Sequence, residues 1–346
     1  MSSIKVSIVV PIYNLEKYIP RCLDALVNQT LEDIEIICVD DGSKDSAPQI
    51  IEKYKEKYPN KVKTFHKENG GEWSARTYGL KQATGEYVGF IDSDDVPELT
   101  WAEKLYDAAK KNDADIAFCG YDRVDLDTGK TVSTEMTQHG TMNKTVDWND
   151  DFIVYANPSL WNKIYKLEKV KDLEFMPFRG ANDTFFLIQS YMDGVQKLTF
   201  IPDVLYHYYL RSSSQIHSLN LKDIENMKKY LLVLKKHSIE IGKGEEYKET
   251  LSTMAFLHLA ISWAFMLSYD KSVKMGESLK NITKYLNENF PEWKNSKHFG
   301  LAHSFKGGFK SICIWGVHLF YKIRLPIVYI WVNRFLRDVI KLEVKW

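Results

Sequence analysis

The stretch that decides the fold is VSIVVPIYN at residues 6–14. It opens with a short, mostly β-branched apolar run, which is typical of a strand buried on both faces of a parallel sheet. Two similar stretches follow, IEIICVDDGSKD at residues 34–45 and GEYVGFIDSDD at residues 85–95, and in both the apolar run ends in acidic residues. Ligands of parallel sheets bind beyond the carboxyl ends of the strands, so these polar endings predict a functional rim.

Between these strands the apolar residues recur at helical spacing. The predicted strands are residues 6–10, 34–39, 62–65, 86–91 and 116–119, and the predicted helices are residues 16–28, 45–57, 74–83 and 98–112. This alternation predicts βαβ units, and hence an α/β, Rossmann-like domain with a mostly parallel sheet flanked by helices.

The pattern changes after Leu221, where the apolar spacing becomes purely helical. We expect three parts: an α/β domain at residues 1–217, an all-helical region at residues 218–302, and a basic, aromatic tail at residues 303–346. Helices are predicted at 223–241, 246–269 and 272–289.

Composition limits the class of protein. The chain has 346 residues, 45% hydrophobic and 27% charged, which excludes a mainly disordered or fibrous protein. Its four cysteines form no CxxC pair, so we expect neither a disulfide framework nor a zinc finger, and a reducing compartment. The apolar run at the N-terminus is short and lacks a small-residue cleavage site, so we do not expect a signal peptide.

Charge is unevenly distributed. Residues 303–346 contain eight Lys/Arg and two acidic residues, a net charge of +6, while the whole chain has a formal net charge of zero. The apolar segment 312–332 is interrupted by Lys322, Arg324 and Pro326, which favours a segment lying in a membrane interface over one that crosses the membrane. The alternative is a buried C-terminal helix followed by a solvated basic tail.

Four polar clusters fall where parallel strands are predicted to end. Each alone is equally consistent with turn or helix-cap chemistry. Three carboxylates within four residues are costly after a buried strand unless a cation neutralises them, and Mg²⁺ or Mn²⁺ bridging to substrate phosphates suits such oxygen ligands. The clusters are Pro11-Ile-Tyr-Asn14, Asp40-Asp-Gly-Ser-x-Asp45, Asn69-Gly-Gly through Ala75-Arg76, and Asp92-Ser-Asp-Asp95.

Taken together, the motifs resemble those of family-2 glycosyltransferases, which have the GT-A fold. The resemblance covers about residues 4–217. Besides the four clusters, the matching segments are Trp161-Asn-Lys-Ile-Tyr, Asn182-Asp-x-Phe-Phe and Tyr206-His-Tyr-Tyr-x-Arg-Ser-Ser-Ser.

The resemblance implies an inverting, metal-dependent hexosyl- or N-acetylhexosaminyl-transferase that uses a UDP-sugar and an acceptor hydroxyl. The processive signature Gln-x-x-Arg-Trp is absent, so we expect one sugar per binding event. The basic tail suggests a lipid-linked saccharide or a cell-surface polymer precursor as acceptor. It also suggests a peripheral location at the cytoplasmic face of the cell membrane. We expect no nucleic-acid partner.

The resemblance also assigns catalytic and metal-binding roles. Asp183 matches the catalytic base, and Asp94 the ligand of Mn²⁺ or Mg²⁺. Asp92 would contact the ribose or the metal shell. His207 would be either a further metal ligand or an ordinary packed histidine.

Nucleotide binding is assigned in the same way. Asp41 would accept a hydrogen bond from the uracil N–H, and Arg76 would either meet the diphosphate or brace the acidic loop. Trp73 and Trp161 would stack on sugar faces or belong to the core, and Asn182 would contact the acceptor. The other residues assigned to nucleotide binding are Pro11, Tyr13, Asn14, Arg211 and Ser212.

The sequence departs from the family pattern at Asn182, where an acid often precedes the base, and at Glu72-Trp73, where small residues are usual. Among other enzymes, a nucleotidyltransferase needs a Gly-rich basic phosphate loop, and a dinucleotide oxidoreductase needs GxGxxG after the first strand; residues 11–14 supply neither. A catalytically degenerate sugar- or nucleotide-binding scaffold is the remaining alternative, and it would be expected to lack the metal or base acids.

Overall fold

A ten-stranded mixed sheet dominates the computed structural model, which describes residues 4–137, 142–155, 157–177, 182–210, 221–270, 272–301 and 308–335. Its strands are β1 (Val6–Ile12), β2 (Ile34–Asp40), β3 (Val62–His66), β4 (Tyr87–Phe90), β5 (Val96–Pro97), β6 (Ile116–Asp125), β7 (Thr131–Glu135), β8 (Met142–Thr145), β9 (Lys163–Lys166) and β10 (Lys197–Leu210). The order is β3-β2-β1-β4-β9-β6-β10-β5, with β7 beside β6 and β8 beside β10.

The parallel part of the sheet confirms the expected α/β class. Strands β3, β2, β1 and β4 run parallel, and Ile12 pairs with Asp40, which in turn pairs with His66. The carboxyl ends of β1, β2 and β3 are therefore level, while β4 ends at Phe90 opposite Val9. The polar segments that follow these strands lie at the same edge of the sheet. Every residue of β1 and β2 is buried, as the apolar runs predicted.

Helices cover this sheet at nearly the predicted positions. The helices around the sheet are α1 (Ile19–Val27), α2 (Ala47–Lys57), α3 (Glu72–Gln82), α4 (Trp101–Lys111), α6 (Leu167–Val170) and α7 (Asn182–Met192). Buried Cys22, Leu23 and Leu26 on one face of α1 join the core that β1 and β2 form. The predicted helical spacing is therefore the spacing of core contacts.

The sequence did not predict the antiparallel strand inserted into this sheet. Strand β9 runs antiparallel to both β4 and β6 and is inserted between them. The polar stretch after Tyr121 forms the β6–β7 hairpin. A four-residue strand such as β9 is too short for its alternation to be read from the sequence.

The chain divides into two compact units, residues 1–147 with 157–214 and residues 148–156 with 215–346. We call them the sheet unit and the helical unit. The division at 214/215 lies three residues from the predicted boundary at 217/218. Residues 148–156, expected in the α/β domain, belong to the helical unit, and the predicted tail does not separate as a third part.

The helical unit contains the predicted helices, with starts within three residues of those expected. Its helices are α5 (Asp151–Tyr155), α8 (Leu221–Glu240), α9 (Gly244–Leu267), α10 (Met275–Asn289), α11 (Gly308–Lys322) and α12 (Pro326–Phe335). Helix α9 contains a π-helical segment, Phe256–Trp263. Within the described residues α9 alone is long and apolar enough to cross a membrane, but 72% of its apolar window is buried in the protein, as in a core helix.

The described part of the predicted tail folds as α11 and α12. The hydroxyls of Tyr321 and Tyr329 donate hydrogen bonds of 2.9 Å to the Ala260 and Ile261 carbonyls of α9. One side of this helix pair therefore packs in the helical unit, as the buried-helix alternative predicted. Lys322 and Arg324 of this pair are exposed, as are five large apolar side chains: Leu319, Ile323, Leu325, Trp331 and Val332.

Candidate active site

Asp41, the residue that follows β2, is surrounded by hydrogen-bond donors, which we call the Asp41 cradle. Its carboxylate accepts hydrogen bonds from the Gly70 and Gly71 amides at 3.0 and 2.7 Å and from Lys67 Nζ at 2.6 Å. Gly71 has a φ of 91°, a conformation that suits glycine, and so turns its amide toward the acid. A carboxylate offers about four acceptor positions, so these three hydrogen bonds leave one position unused on a side chain that is 2% exposed.

The end of β1 is braced against the loop after β2. Asn14 has a φ of 54°; its side-chain oxygen accepts a hydrogen bond from the Lys44 amide at 2.7 Å, and its own amide donates to Ser43 Oγ at 3.0 Å. Tyr13 next to it is 48% exposed, whereas Pro11 is buried in β1. Asn14 therefore shapes this part of the rim, and Tyr13 offers the free ring surface.

Arg76 joins residues that are far apart in the sequence. Its guanidinium, only 3% exposed, donates to Asp92 at 2.7 Å and to Asp183 at 3.0 Å, and it also pairs with Glu72 one turn earlier on α3. Burial opposes the charge of the guanidinium, but the three carboxylates outweigh burial and raise the pKa of Arg76. Of the two predicted roles of Arg76, this geometry is that of a brace.

Asp183 is the second residue of α7, and its side chain is 31% exposed. Burial, helped by Asp92, raises the pKa of Asp183 above its ordinary value, although Arg76, Lys163 and the Leu160 amide act in the opposite direction. A carboxylate with a raised pKa is a stronger base at neutral pH. Asp183 is thus exposed enough to meet a substrate and basic enough to accept a proton.

Asp95, the buried acid of the acidic loop after β4, holds this loop in place. Asp95 accepts hydrogen bonds from the Tyr206 hydroxyl and the Tyr209 amide, both at 2.8 Å. Burial, with Asp94 and Asp92 adding to it, raises the pKa of Asp95 well above its ordinary value. Asp95 therefore anchors the loop, while Asp92 and Asp94 remain partly exposed.

His207 lies on β10 between two acids. Its Nδ1 is 2.7 Å from Asp122 and its Nε2 is 2.8 Å from Glu98. Burial opposes protonation, but these two hydrogen bonds outweigh it and raise the pKa of His207. A metal-bound His207 would have to give up one of them, so the geometry is that of a packed histidine, and the metal role stays a prediction.

The other residues that were predicted to belong to the site differ in how exposed they are. Trp161 is 6% exposed and stacks on Tyr206 at 4.4 Å, so it is a core residue, one of its two predicted roles. Asn182 is also buried at the start of α7. Trp73 is partly exposed beside Gly71. Arg211 and Ser212 lie outside the described residues.

Several residues of the site were not singled out from the sequence. Lys67 stands just before the Asn-Gly-Gly segment, and a base so close to that motif was a signal for a partner of Asp41. Lys163 lies inside the quoted Trp-Asn-Lys motif. Arg21, whose guanidinium donates to the Asp94 carbonyl and stacks on Tyr209, gave no local signal because both partners are distant in the sequence.

Comparison with known proteins agrees with this arrangement. The profile of glycosyl transferase family 2 matches residues 7–173. The putative glycosyltransferase EpsH of Bacillus subtilis is 32% identical over 82% of this chain and 83% of its own. The chain belongs to glycosyl transferase family 2. It is therefore a glycosyltransferase, and the resemblance read from its motifs is confirmed.

Solved structures place this glycosyltransferase in the GT-A fold. The crystal structure of Staphylococcus aureus TarS 1–349 in complex with UDP-GlcNAc covers 96% of this chain and 92% of that one, with a TM-score of 0.71 and 22% identity. By sequence, TarS, a poly(ribitol-phosphate) β-N-acetylglucosaminyltransferase, is 27% identical over 84% of this chain and 48% of its own. A mannosyltransferase of Pyrobaculum calidifontis in complex with GDP-Man and Mn²⁺ has a TM-score of 0.52 at 18% identity.

The described residues do not by themselves form a complete set of ligands for a metal ion. Within the described ranges no group of three or more His, Cys, Asp or Glu side chains is placed to hold a metal ion. Mg²⁺ and Mn²⁺ are often held by one or two carboxylates together with substrate phosphates, so a complete protein cage is not required. Asp92 and Asp94, two residues apart and both partly exposed, offer the oxygen ligands that such a shared site needs.

Proposed function

We propose that this family-2 glycosyltransferase moves one hexose or N-acetylhexosamine from a UDP-sugar to an acceptor hydroxyl, with inversion at the anomeric carbon. The observation that carries the proposal is the Arg76 cluster, which holds Asp92 and Asp183 on one guanidinium. Asp92 follows a strand of the nucleotide-binding rim, and Asp183 is the second residue of a separate helix. One guanidinium thus holds Asp92, the acid on the side of the sugar nucleotide, and Asp183, the acid that can act on the acceptor hydroxyl.

In the proposed reaction, Asp183 accepts the proton of the acceptor hydroxyl as that oxygen attacks the anomeric carbon. The new bond joins the acceptor oxygen to the anomeric carbon. The bond from that carbon to the diphosphate oxygen breaks, and its electron pair leaves with UDP. Because attack and departure occur on opposite faces of the sugar, the configuration inverts.

A UDP donor is favoured by the Asp41 cradle, since the fourth acceptor position of the carboxylate suits the N–H of uracil, a proton that cytosine lacks. The TarS complex with UDP-GlcNAc supports the same donor class. Asp94, with Asp92, would hold Mn²⁺ or Mg²⁺, and such an ion would neutralise the charge that develops on the leaving diphosphate.

The acceptor we propose is a saccharide of a cell-surface polymer or its lipid-linked precursor. The name of TarS, which acts on poly(ribitol-phosphate), supports this class. The enzyme would work at the cytoplasmic face of the cell membrane, held peripherally by the exposed side of α11 and α12. That side carries Trp331, 62% exposed, and residues 308–335 contain four Lys/Arg and no acid. Exposed apolar side chains beside bases suit an anionic bilayer surface.

The deciding experiment screens nucleotide sugars for transfer and then compares Asp183→Asn with Asp193→Asn. Both variants remove one carboxylate near α7, but Asp193 follows the other end of that helix. We expect Asp183→Asn to lower transfer by about 10²–10⁴-fold with UDP affinity nearly unchanged, and Asp193→Asn to be close to wild type. NMR of the anomeric proton of the product tests inversion.

Two results would overturn the proposal. Wild-type transfer by Asp183→Asn would place the base elsewhere. Binding of a UDP-sugar with neither transfer nor hydrolysis of any donor would favour the degenerate scaffold.

A further inference from the structure

Arg21, on helix α1, contacts the backbone of the acidic loop after β4, residues 92–95. Its guanidinium donates a hydrogen bond to the Asp94 carbonyl, and its Cζ lies 3.8 Å from the ring centre of Tyr209. Within the described part of the chain this guanidinium forms no ion pair with a carboxylate. Arg21 therefore holds the loop through a carbonyl and not through one of its acids.

The same loop is held at further points by the neighbours of Arg21. The Cys22 thiol lies 3.7 Å from the Asp92 carbonyl, which also accepts a hydrogen bond from the Asp95 amide at 3.0 Å. From β10, the Tyr209 amide donates to the Asp95 carboxylate at 2.8 Å. Tyr209 thus bonds the loop through its amide and stacks on Arg21 through its ring, so contacts from α1 and β10 together fix the course of the loop.

Two guanidinium groups contact this loop in different ways. Arg76 donates to the side chain of Asp92 at 2.7 Å, whereas Arg21 donates to a backbone carbonyl. A cation paired with a carboxylate reduces the negative charge that a metal ion would meet. A cation bonded to a carbonyl fixes the backbone and does not occupy a carboxylate oxygen. The contact of Arg21 therefore suits the placing of the loop, on which Asp92 and Asp94 are partly exposed.

We propose that Arg21 is a positioning residue for the acidic loop. It holds the Asp94 backbone so that the Asp92 and Asp94 carboxylates meet a divalent cation in one geometry. This inference rests on the proposed metal-binding role of Asp94 and adds a residue that touches neither the cation nor the substrate. Groups that orient metal ligands typically contribute about 10–100-fold to metal affinity.

Charge and position predict opposite effects of removing Arg21. The guanidinium is positive and lies beside the Asp94 backbone, so by charge alone it repels a nearby cation, and its loss should strengthen metal binding. If Arg21 positions the loop, its loss should weaken metal binding, because the loop must then be ordered when the ion binds. The direction of the change therefore distinguishes the two roles.

The test compares Arg21→Met with Lys17→Met, which removes an exposed lysine two residues before α1. Binding of Mn²⁺ is measured from the EPR signal of the free ion at saturating UDP, against a protein-free UDP control. We expect Arg21→Met to weaken Mn²⁺ binding by about tenfold and to leave the metal-free Kd of UDP within about twofold. The KM for Mn²⁺ in transfer should rise by a similar factor, with kcat at saturating Mn²⁺ within about threefold of the wild type. Lys17→Met should match the wild type.

Two further variants cover the case in which Arg21→Met does not fold. Arg21→Lys keeps a cation that can donate to the Asp94 carbonyl but loses the flat face that stacks on Tyr209. Tyr209→Leu removes the ring and keeps the amide that bonds Asp95. Each should weaken Mn²⁺ binding by roughly two- to fivefold, the contribution of one cation–aromatic contact.

Unchanged or tighter Mn²⁺ binding in Arg21→Met overturns the positioning role, as does the same result in both further variants where Arg21→Met is unfolded. An equal loss of metal-free UDP affinity also overturns it, because the nucleotide site as a whole would then be disturbed.

Asp94→Ala measured alongside separates this inference from the proposed function. If the wild type binds Mn²⁺ no better than UDP alone does, or if Asp94→Ala binds it like the wild type, the proposed metal site is wrong and the role of Arg21 is wrong with it. If Asp94→Ala loses Mn²⁺ while Arg21→Met keeps it, the metal site stands and only the role of Arg21 is wrong.

Discussion

Arg76→Met removes one cation from three carboxylates. In the folded protein the guanidinium pairs with Glu72, Asp92 and Asp183 and is itself buried. Methionine preserves much of the aliphatic stem but none of the five donors. The variant therefore leaves three acids close together with no positive partner.

The size of the effect follows from burial. Removing one partner of a buried ion pair typically costs about 3–5 kcal/mol. Solvent reaches all three carboxylates, whose side chains are 51% exposed at Glu72, 23% at Asp92 and 31% at Asp183, so we expect the lower end, about 3 kcal/mol. With an m-value of about 2–3 kcal/mol per molar urea, the unfolding midpoint should fall by about 1–1.5 M.

The loss should depend on pH. Arg76 favours the ionised form of Glu72, but partial burial together with the nearby acids Asp92, Asp183 and Asp94 raises the pKa of Glu72 to about 7. Burial likewise raises the pKa of Asp183. Without Arg76 both values should rise further. An acid whose pKa is higher in the folded state destabilises the fold when ionised, and that cost grows as pH rises through the folded pKa. The deficit of Arg76→Met should be largest near pH 8 and smaller at pH 5.

Urea unfolding at pH 8 and pH 5 tests this, with hydrogen exchange of α3 to follow the sheet unit by itself. The control is Lys81→Met on the same helix, because Lys81 pairs with Glu174 at the surface and should contribute within about 0.5 kcal/mol. A loss below about 1 kcal/mol for Arg76→Met, equal at both pH values, would refute the reasoning.

The remaining predictions concern turnover and binding. The kcat/KM for transfer should fall on the acidic side at a pH above 3.8, the ordinary pKa of Asp183, and a flat profile to pH 4 would contradict the role of this base. Asp41→Asn should weaken UDP binding about tenfold in calorimetry, since one hydrogen bond to a charged group is lost; an equal loss for GDP and CDP would refute the uracil contact. Excess EDTA or Asp94→Ala should abolish donor turnover without unfolding the protein, and full activity in EDTA would exclude the metal. Trp331→Ser should reduce co-sedimentation with anionic vesicles by roughly tenfold, whereas Ile239→Ser, equally exposed on α8, should not; equal effects would refute membrane docking by this surface.

The parallel half of the fold could be predicted because its strands are buried on both faces. Such strands read as unbroken apolar runs, and the predicted strands and helices of the first 119 residues begin within three residues of the observed ones. The antiparallel insertion of β9 had no such signal. The assignment of residues 148–156 to the helical unit also depends on tertiary packing, which a nine-residue segment does not reveal.

The candidate site was predictable only as a set of residue types at strand ends. Asp92 and Asp183 were singled out, but the guanidinium that joins them lies 107 residues from Asp183 along the chain. Sequence periodicity shows which residues share one face of a helix, but it does not show which residues of two helices far apart in the sequence will be in contact. The alternatives left open for Arg76 and Trp161 are the kind that only packing decides: Trp161 is covered by Tyr206, and Arg76 is enclosed by acids.

The ion pairs that Arg76 already makes give a reason to expect that turnover requires a divalent cation. In the proposed donor complex, the diphosphate would add negative charge beside Asp92 and Asp94, where acids already outnumber bases. Arg76 already bonds three carboxylates, and turning it toward the diphosphate would leave Asp183 without its strongest positive partner. Arg76 would then serve the leaving group only by making the base harder to ionise. If Asp94 held a divalent cation, that charge would neutralise the diphosphate and Arg76 could remain paired with Asp183. The same cluster that sets the geometry of Asp183 is therefore the physical reason to expect metal-dependent turnover.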